Sequence, residues 1–330
     1  MKIVAFETRE DERSTFRKLE QKHQIEIVCL PEEISKQNIG LTKGATAISI
    51  LGHSQMNSEL LSLLKENGVD FVSTRTVGYN HIDVDAANKL GIRVANAYYD
   101  PHGVADYTVM LILMSLRKYK QAMWRANVND YSLNGLKGRE MRNLTIGIVG
   151  TGNIGAQVIE NLQGFGCRLI ASSRTVNKSI EPKVEYMNLD KLYAQADIIS
   201  YHLPLLESTS RMVCKETLNK MKDGVILINC SRGELMNISD VIDAIESHKI
   251  GALAMDVFEN ETGIYHQDRR TDIISNRDMA YIRQFPNVIM TQHIAFYTDT
   301  AVETMVECGV ESLCDFVAKG ETAREIFPHQ

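Results

Sequence analysis

Short apolar runs alternate with longer stretches in which apolar side chains recur at helical spacing, and this pattern occurs twice along the chain. In the first hundred residues Lys2–Phe6, Glu26–Leu30, Ala45–Leu51, Phe71–Thr74 and Arg93–Ala95 read as strands, separated by polar helical stretches such as Glu10–Lys22 and Ser58–Glu66. Such alternation predicts a parallel sheet with crossover helices. Gly91 reads as a helix C-cap leading into the next strand. Pro101-His102-Gly103 then breaks the pattern and opens an apolar run, Val104–Leu116, that contains Asp106, Tyr107 and Thr108. The run is too short and too polar to span a bilayer, so a buried interdomain or subunit-interface helix is expected. Met123–Arg142, with the only tryptophan, Trp124, is amphipathic and less regular.

The alternation restarts at Thr145, with strands expected at Thr145–Val149, Arg168–Ser172, Ile198–Tyr201, Val225–Asn229, Ala252–Asp256 and Val288–Thr291. Tyr297–Lys319 reads as a helix stopped by Gly320, long enough to return to the first domain. The expected fold is therefore α/β, with two doubly wound parallel-sheet domains. Residues 100–297 form the second, inserted in a discontinuous first domain of residues 1–99 and 298–330.

The restart carries a motif. Gly150, Gly152 and Gly155, in Gly-Thr-Gly-Asn-Ile-Gly, have the G-x-G-x-x-G spacing between a strand and the helical pattern Ala156–Leu162. The first glycine permits a tight turn, the second lets backbone approach a pyrophosphate, and the third lets helix and strand pack closely. A dinucleotide phosphate would sit on the helix N-terminus, against Gly152, Asn153, Ile154 and Gly155. In such sheets ligands bind beyond the strand C-termini, and most of the reactive polar residues fall there. They are Ser173 and Arg174, His202 to Pro204, Cys230 to Glu234, Asp256 to Glu261, and Gln292 to Phe296.

Composition narrows the partners. A chain of 330 residues suits two domains, and a net charge of −6 gives no reason to expect nucleic acid or an anionic membrane. The N-terminus reads as a first strand and not as a signal peptide, and no stretch spans a membrane. The six cysteines are scattered without a C-x-x-C pair, as in a reducing compartment, and a cytoplasmic location is expected. No metal is expected: His266 with Asp268 comes nearest to ligand spacing and reads as a solvated loop.

In order and spacing, Gly150–Gly155, Asn229-Cys-Ser-Arg232-Gly-Glu-Leu, Asp256-Val-Phe-Glu-Asn-Glu261 and Thr291-Gln-His293 resemble the signatures of the D-2-hydroxyacid dehydrogenases. Tyr99-Asp-Pro-His-Gly-Val-Ala-Asp106 extends the likeness, which is greatest to the D-lactate dehydrogenase branch, including vancomycin-resistance, 2-hydroxyisocaproate and aryl-lactate enzymes. The resemblance implies a Rossmann domain inserted in a flavodoxin-like substrate domain, a homodimer, and reduction of a small 2-keto acid to the D-(R)-2-hydroxy acid. Pyruvate, branched-chain keto acids and phenylpyruvate all remain open as substrates. Closure about hinges near Tyr99–Pro101 and Tyr297–Asp299 would exclude water.

The chemistry of the residues points the same way. Arg232 offers a carboxylate a planar two-donor fork. His293 is a natural proton donor to the carbonyl oxygen. Glu261 would accept the other imidazole N–H and fix the ring, with Glu259 as the rival acid; the family spacing from Asp256 selects Glu261. Taken singly, each could be an ion pair, a core histidine or a loop charge. By resemblance, the backbone N–H groups of Val77 and Gly78 help bind the substrate carboxylate, while Tyr99 and Phe296, with Leu51 as a further candidate, line the side-chain pocket. His202, Pro204, Cys230, Ser231 and Asp256 resemble cofactor positions.

Two departures stand out. The acid that usually follows the second strand and binds the adenine ribose is replaced by Ser173-Arg174, which suits a 2′-phosphate, so NADP(H) or dual use with NAD(H) is expected. The family's usual proline before the catalytic histidine is Gln292, which loosens that loop but removes no catalytic group. Phosphoglycerate, formate and glyoxylate dehydrogenases on the same scaffold are alternatives, as are cofactor-sensing corepressors.

Overall fold

In the computed structural model, which describes residues 1–328, the chain divides into two compact units, Met1–Asp100 with Tyr297–Gln330, and Pro101–Phe296. His329 and Gln330, the end of the expected 298–330 segment, lie outside the described residues.

The first unit begins with β1 (Lys2–Ala5), α1 (Arg13–His23), β2 (Glu26–Cys29), β3 (Ala47–Ile50), α2 (Ser58–Glu66), β4 (Phe71–Thr74), α3 (Val84–Lys89) and β5 (Arg93–Ala95). The second contains α4 (His102–Leu116), α5 (Tyr119–Asn127), β6 (Thr145–Val149), α6 (Asn153–Leu162), β7 (Arg168–Ser172), β8 (Glu185–Tyr186), α7 (Leu189–Gln195) and β9 (Ile198–Tyr201). It continues through α8 (Lys215–Asn219), β10 (Val225–Asn229), α9 (Ile238–Glu246), β11 (Ile250–Met255), α10 (Arg277–Ile282) and β12 (Val288–Met290). The chain then returns to the first unit as α11 (Asp299–Lys319) and β13 (Glu325–Ile326).

Among the described residues, the first sheet has the order β13-β5-β4-β3-β1-β2, parallel except for β13 against β5. Its five parallel strands follow the flavodoxin-like order. Alternate strand residues face opposite sides. Ile3 and Ala5 pack with Val306, Val310, Leu313 and Phe316 of α11, while Val4 packs with Leu60, Leu61 and Leu64 of α2. Beneath this sheet's C-terminal edge, the fully buried Arg75 reaches the fully buried Glu12 at 3.0 Å, the Phe6 carbonyl at 3.0 Å and the Ser49 hydroxyl at 3.2 Å. Glu7 accepts from the backbone N–H groups of Gly52, His53 and Ser54 at 2.7 to 2.9 Å.

The second sheet, again among the described residues, is wholly parallel in the order β12-β11-β10-β9-β6-β7-β8, the doubly wound dinucleotide-binding arrangement. The apolar run after Pro101 is α4, and it is a core helix of this unit. Ala105, Val109, Leu111, Ile112 and Leu116 pack with Ile146, Ile148, Ile159 and Ile228. Its opposite side exposes Met110 and Leu113. The chain runs outward from β6 through β7 to β8 and then crosses back to β9 on the other side of β6, so the sheet's switch point lies at the C-terminal ends of β6 and β9.

Candidate active site

The glycine turn is shaped by close packing. Gly150 follows β6 with φ +92°, and a Cβ there would stand 2.3 Å from the His202 carbonyl oxygen. A Cβ on Gly155, in the first turn of α6, would stand 2.0 Å from the Gly150 carbonyl oxygen. Gly152 is the N-cap of α6 and would have nothing within 4 Å of a Cβ, so this glycine answers to no protein neighbour. The adjoining loop is braced: the Tyr186 hydroxyl bonds Thr151 Oγ1 at 3.0 Å and Asn177 Nδ2 donates to the Thr151 carbonyl at 3.1 Å. β7 ends in Ser172, followed by the half-buried Ser173 and the exposed Arg174.

His202 follows β9 with Nε2 2.8 Å from Ser200 Oγ, and burial pushes its imidazole down to about 4. Its buried Nδ1 has no partner among the described residues. A glycine cradle, an open helix N-terminus and an orphaned ring nitrogen on the adjacent strand end together fit a dinucleotide. Pro204 is exposed nearby.

At the end of β10, Asn229 organises the next loop. Its side chain donates to the Arg232 carbonyl at 2.9 Å and accepts from Ser231 N–H at 3.0 Å, while Ser231 Oγ donates to the Tyr201 carbonyl at 2.6 Å. Arg232 Nη1 donates to the Ser231 carbonyl at 2.7 Å, and desolvation pushes the Cys230 thiol up to about 12. A Cβ on Gly233 would stand 2.2 Å from the Phe258 carbonyl carbon, so the Arg232 loop lies directly on the loop after β11.

That loop and the one after β12 share one network. Glu261 Oε1 lies 2.5 Å from His293 Nδ1, and its Oε2 accepts from Phe258 N–H at 2.8 Å. Glu259 instead faces Arg211 at 3.7 Å, so Glu261 is the acid that meets the histidine. Asp256, fully buried, accepts from Thr291 Oγ1 at 2.5 Å, Ile294 N–H at 3.0 Å and Ala295 N–H at 2.7 Å. Its backbone carbonyl takes His293 N–H at 2.6 Å. The residue expected along the cofactor is thus also the anchor of the histidine loop. Phe296 meets the His293 ring edge-on, centroids 6.1 Å apart.

One residue read as a solvated loop position belongs here: His266 Nε2 is 2.9 Å from the His293 carbonyl oxygen, and its ring is 6.1 Å from that of His293. No spacing rule shows this, because the segment curls back through left-handed Asn260, Gly263 and His266. No metal-binding cluster occurs among the described residues. Val77, Gly78, Tyr99 and Leu51 belong to the first unit. There Gly78 is tied by its carbonyl to Thr76 Oγ1 at 2.6 Å and Val77 by its carbonyl to Asn96 Nδ2 at 2.8 Å.

The profile of the D-isomer specific 2-hydroxyacid dehydrogenase NAD-binding domain matches residues 109–295. The chain belongs to this family. As a D-2-hydroxyacid dehydrogenase it is an NAD(P)-dependent oxidoreductase that reduces 2-keto acids to D-2-hydroxy acids. It is 40% identical over 322 residues to an aromatic 2-oxoacid reductase of Clostridium sporogenes, covering 97% of each chain. It is 31% identical to a D-lactate dehydrogenase of Lactiplantibacillus plantarum, covering 99% of each. Among solved structures it resembles D-2-hydroxyisocaproate dehydrogenase with a TM-score of 0.91 and 29% identity, over 99% of this chain and 100% of that one.

Proposed function

We propose that His293 gives the proton to the substrate's carbonyl oxygen, that Glu261 orients its ring, and that Arg232 binds the substrate carboxylate. The observation that carries this reading is the 2.5 Å contact between Glu261 and His293, which fixes Nδ1 as the inward nitrogen and leaves Nε2 for the substrate. The bound nicotinamide supplies or receives the hydride. The chain's own part is to orient the acid and bind the carboxylate. In the oxidation direction, neutral His293 takes the alcohol proton.

Gly150, Gly152, Asn153, Ile154 and Gly155 would hold the pyrophosphate, with His202, Pro204, Cys230, Ser231 and Asp256 along the nicotinamide half. Ser173 and Arg174 would take the 2′-phosphate of NADP(H), since no carboxylate follows β7 to repel it. The rings of Phe296 and His266 beside His293 favour a large apolar substituent, so phenylpyruvate should exceed pyruvate in kcat/KM. The aromatic 2-oxoacid reductase likeness supports the same choice.

Exposed apolar side chains on and after α5, Trp124 at 67%, Tyr131 at 76% and Leu133 at 85%, suit a face covered by a second copy of the chain. A homodimer is therefore proposed, located in the cytoplasm. Its six cysteines, all free, fit a reducing compartment. No helix among the described residues is long and apolar enough to cross a membrane.

The decisive experiment is His293→Gln with phenylpyruvate, 2-ketoisocaproate and pyruvate. Turnover should fall by about 10²–10⁴-fold, the usual contribution of a general acid, with cofactor affinity unchanged. Near-normal turnover would remove His293 from the chemistry.

A further inference from the structure

We infer that His266 is a positioning residue for His293: it grips the main chain of that residue while Glu261, on the same turn, grips its ring. The inference rests on the reading of His293 as the proton donor.

The need for such a grip lies in the backbone. His293 has φ +56°, the left-handed region, which strains a non-glycine residue and persists only where neighbours fix it from several sides. The carbonyl and carboxylate of Asp256 hold the amides of His293, Ile294 and Ala295. These contacts secure the N–H side of the loop. On the carbonyl side of His293 stands His266 Nε2, 2.9 Å away. A carbonyl oxygen only accepts, so Nε2 carries the hydrogen.

The two grips come from one short turn. Ile264 and Tyr265 N–H both donate to the Glu261 carbonyl, at 3.0 and 3.1 Å, so the turn that starts at Glu261 ends at His266. Left-handed residues at Asn260, Gly263 and His266 reverse the chain so that both side chains face His293. The rings of His266, His293 and Phe296 then stand 6.1 to 6.2 Å apart, at tilted or edge-on angles.

Position 292 explains why this chain uses a side chain here. A proline would fix φ at 292 and restrict the residue before it. Gln292 does neither, and it is exposed. The hydrogen bond from His266 supplies the restraint that the ring of a proline would otherwise give.

The test uses the whole 330-residue chain and four variants, with two readouts. One is kcat and KM for phenylpyruvate. The other is hydrogen–deuterium exchange of the 288–297 segment without cofactor. His266→Phe keeps a ring but removes the N–H; kcat should fall about tenfold, the scale of one lost hydrogen bond, with KM within twofold, and exchange at Ile294 and Ala295 should speed up. His266→Gln, whose amide reaches as far, should restore both. His266→Asn, too short to reach, should behave like the Phe variant. Adding Gln292→Pro to His266→Phe should recover part of kcat and slow the exchange.

Unchanged kcat and exchange in His266→Phe would overturn the inference. So would a rise confined to KM, which would make His266 a substrate contact, or equal rescue by Asn and Gln. If His293→Gln retains turnover, the underlying reading fails. If that variant is inactive while His266→Phe is normal, only the positioning role fails.

Discussion

Changing Gly152 and Gly155 to alanine one at a time separates folding from cofactor binding. At Gly152 an added methyl meets no protein atom within 4 Å, and φ −68°, ψ −165° is open to any L-residue. Alanine is a poorer N-cap than glycine by roughly 0.5–1 kcal/mol, and the stiffer unfolded chain offsets about as much. The apparent Tm of Gly152→Ala should therefore stay within about 2 °C of the parent. Its methyl would occupy the approach to the first-turn N–H groups of α6, where the pyrophosphate is proposed to lie. Losing one charge-assisted hydrogen bond, roughly 1.5–3 kcal/mol, corresponds to a Kd about ten- to a hundredfold weaker. Gly155→Ala should instead destabilise by about 1–3 kcal/mol, because its Cβ would sit 2.0 Å from the Gly150 carbonyl oxygen. Calorimetric melting and titration with NADH and NADPH read both quantities. An unchanged Kd in Gly152→Ala, with an unchanged Tm, would mean that the phosphates do not lie against this turn.

Three further outcomes are expected. Arg174→Asp should cut kcat/KM for NADPH at least about tenfold while leaving NADH within a few-fold, since a new carboxylate repels only the 2′-phosphate; equal effects on both would refute the assignment. Arg75→Met should cost about 3 kcal/mol, the low end for breaking a buried pair, because Glu12 keeps the Arg9 N–H at 2.8 Å; adding Glu12→Gln should recover part of it in urea titrations followed by circular dichroism. Burial alone would raise the Glu7 carboxyl, yet hydrogen bonds from the Ser54 side chain and from the backbone of His53, Gly52 and Ser54 hold it below 4.5. A lowered folded-state value makes its stabilisation complete above the unfolded value and lost as pH falls through the folded one. Glu7→Gln should therefore flatten the fall in stability below about pH 4.5, the range where an unperturbed Glu titrates, and an unaltered slope would contradict this.

The sheet strands were legible because βα alternation buries whole apolar runs. Where expected strands run past the assigned strand ends, as at Phe6 and Leu51, the residue is buried and its carbonyl is taken by a side chain, Arg75 for Phe6 and Thr74 for Leu51. Apolarity reports burial, and pairing stops earlier. β8 and β13, two residues each, are too short to carry a period. Glu261 was preferred to Glu259 through the family resemblance, by its spacing from Asp256, and it is the acid whose side chain meets His293. His266, Glu7 and Arg75 were not legible, since each acts on residues brought near only by chain reversal or by the neighbouring strand. α4 was expected to bridge or to pair subunits because it is apolar on most sides; its larger face fills the core of the second unit, and Met110 and Leu113 stand exposed on the other side in a single copy.

Trp124 has a practical consequence. It is the only indole in the chain, it stands on α5 of the second unit, and it is mostly bathed in solvent. In a single copy of the chain its emission should resemble that of a free indole, and in the proposed dimer, which covers that surface, it should lie to the blue. The protein therefore carries an intrinsic optical probe of its own association, without any label being added.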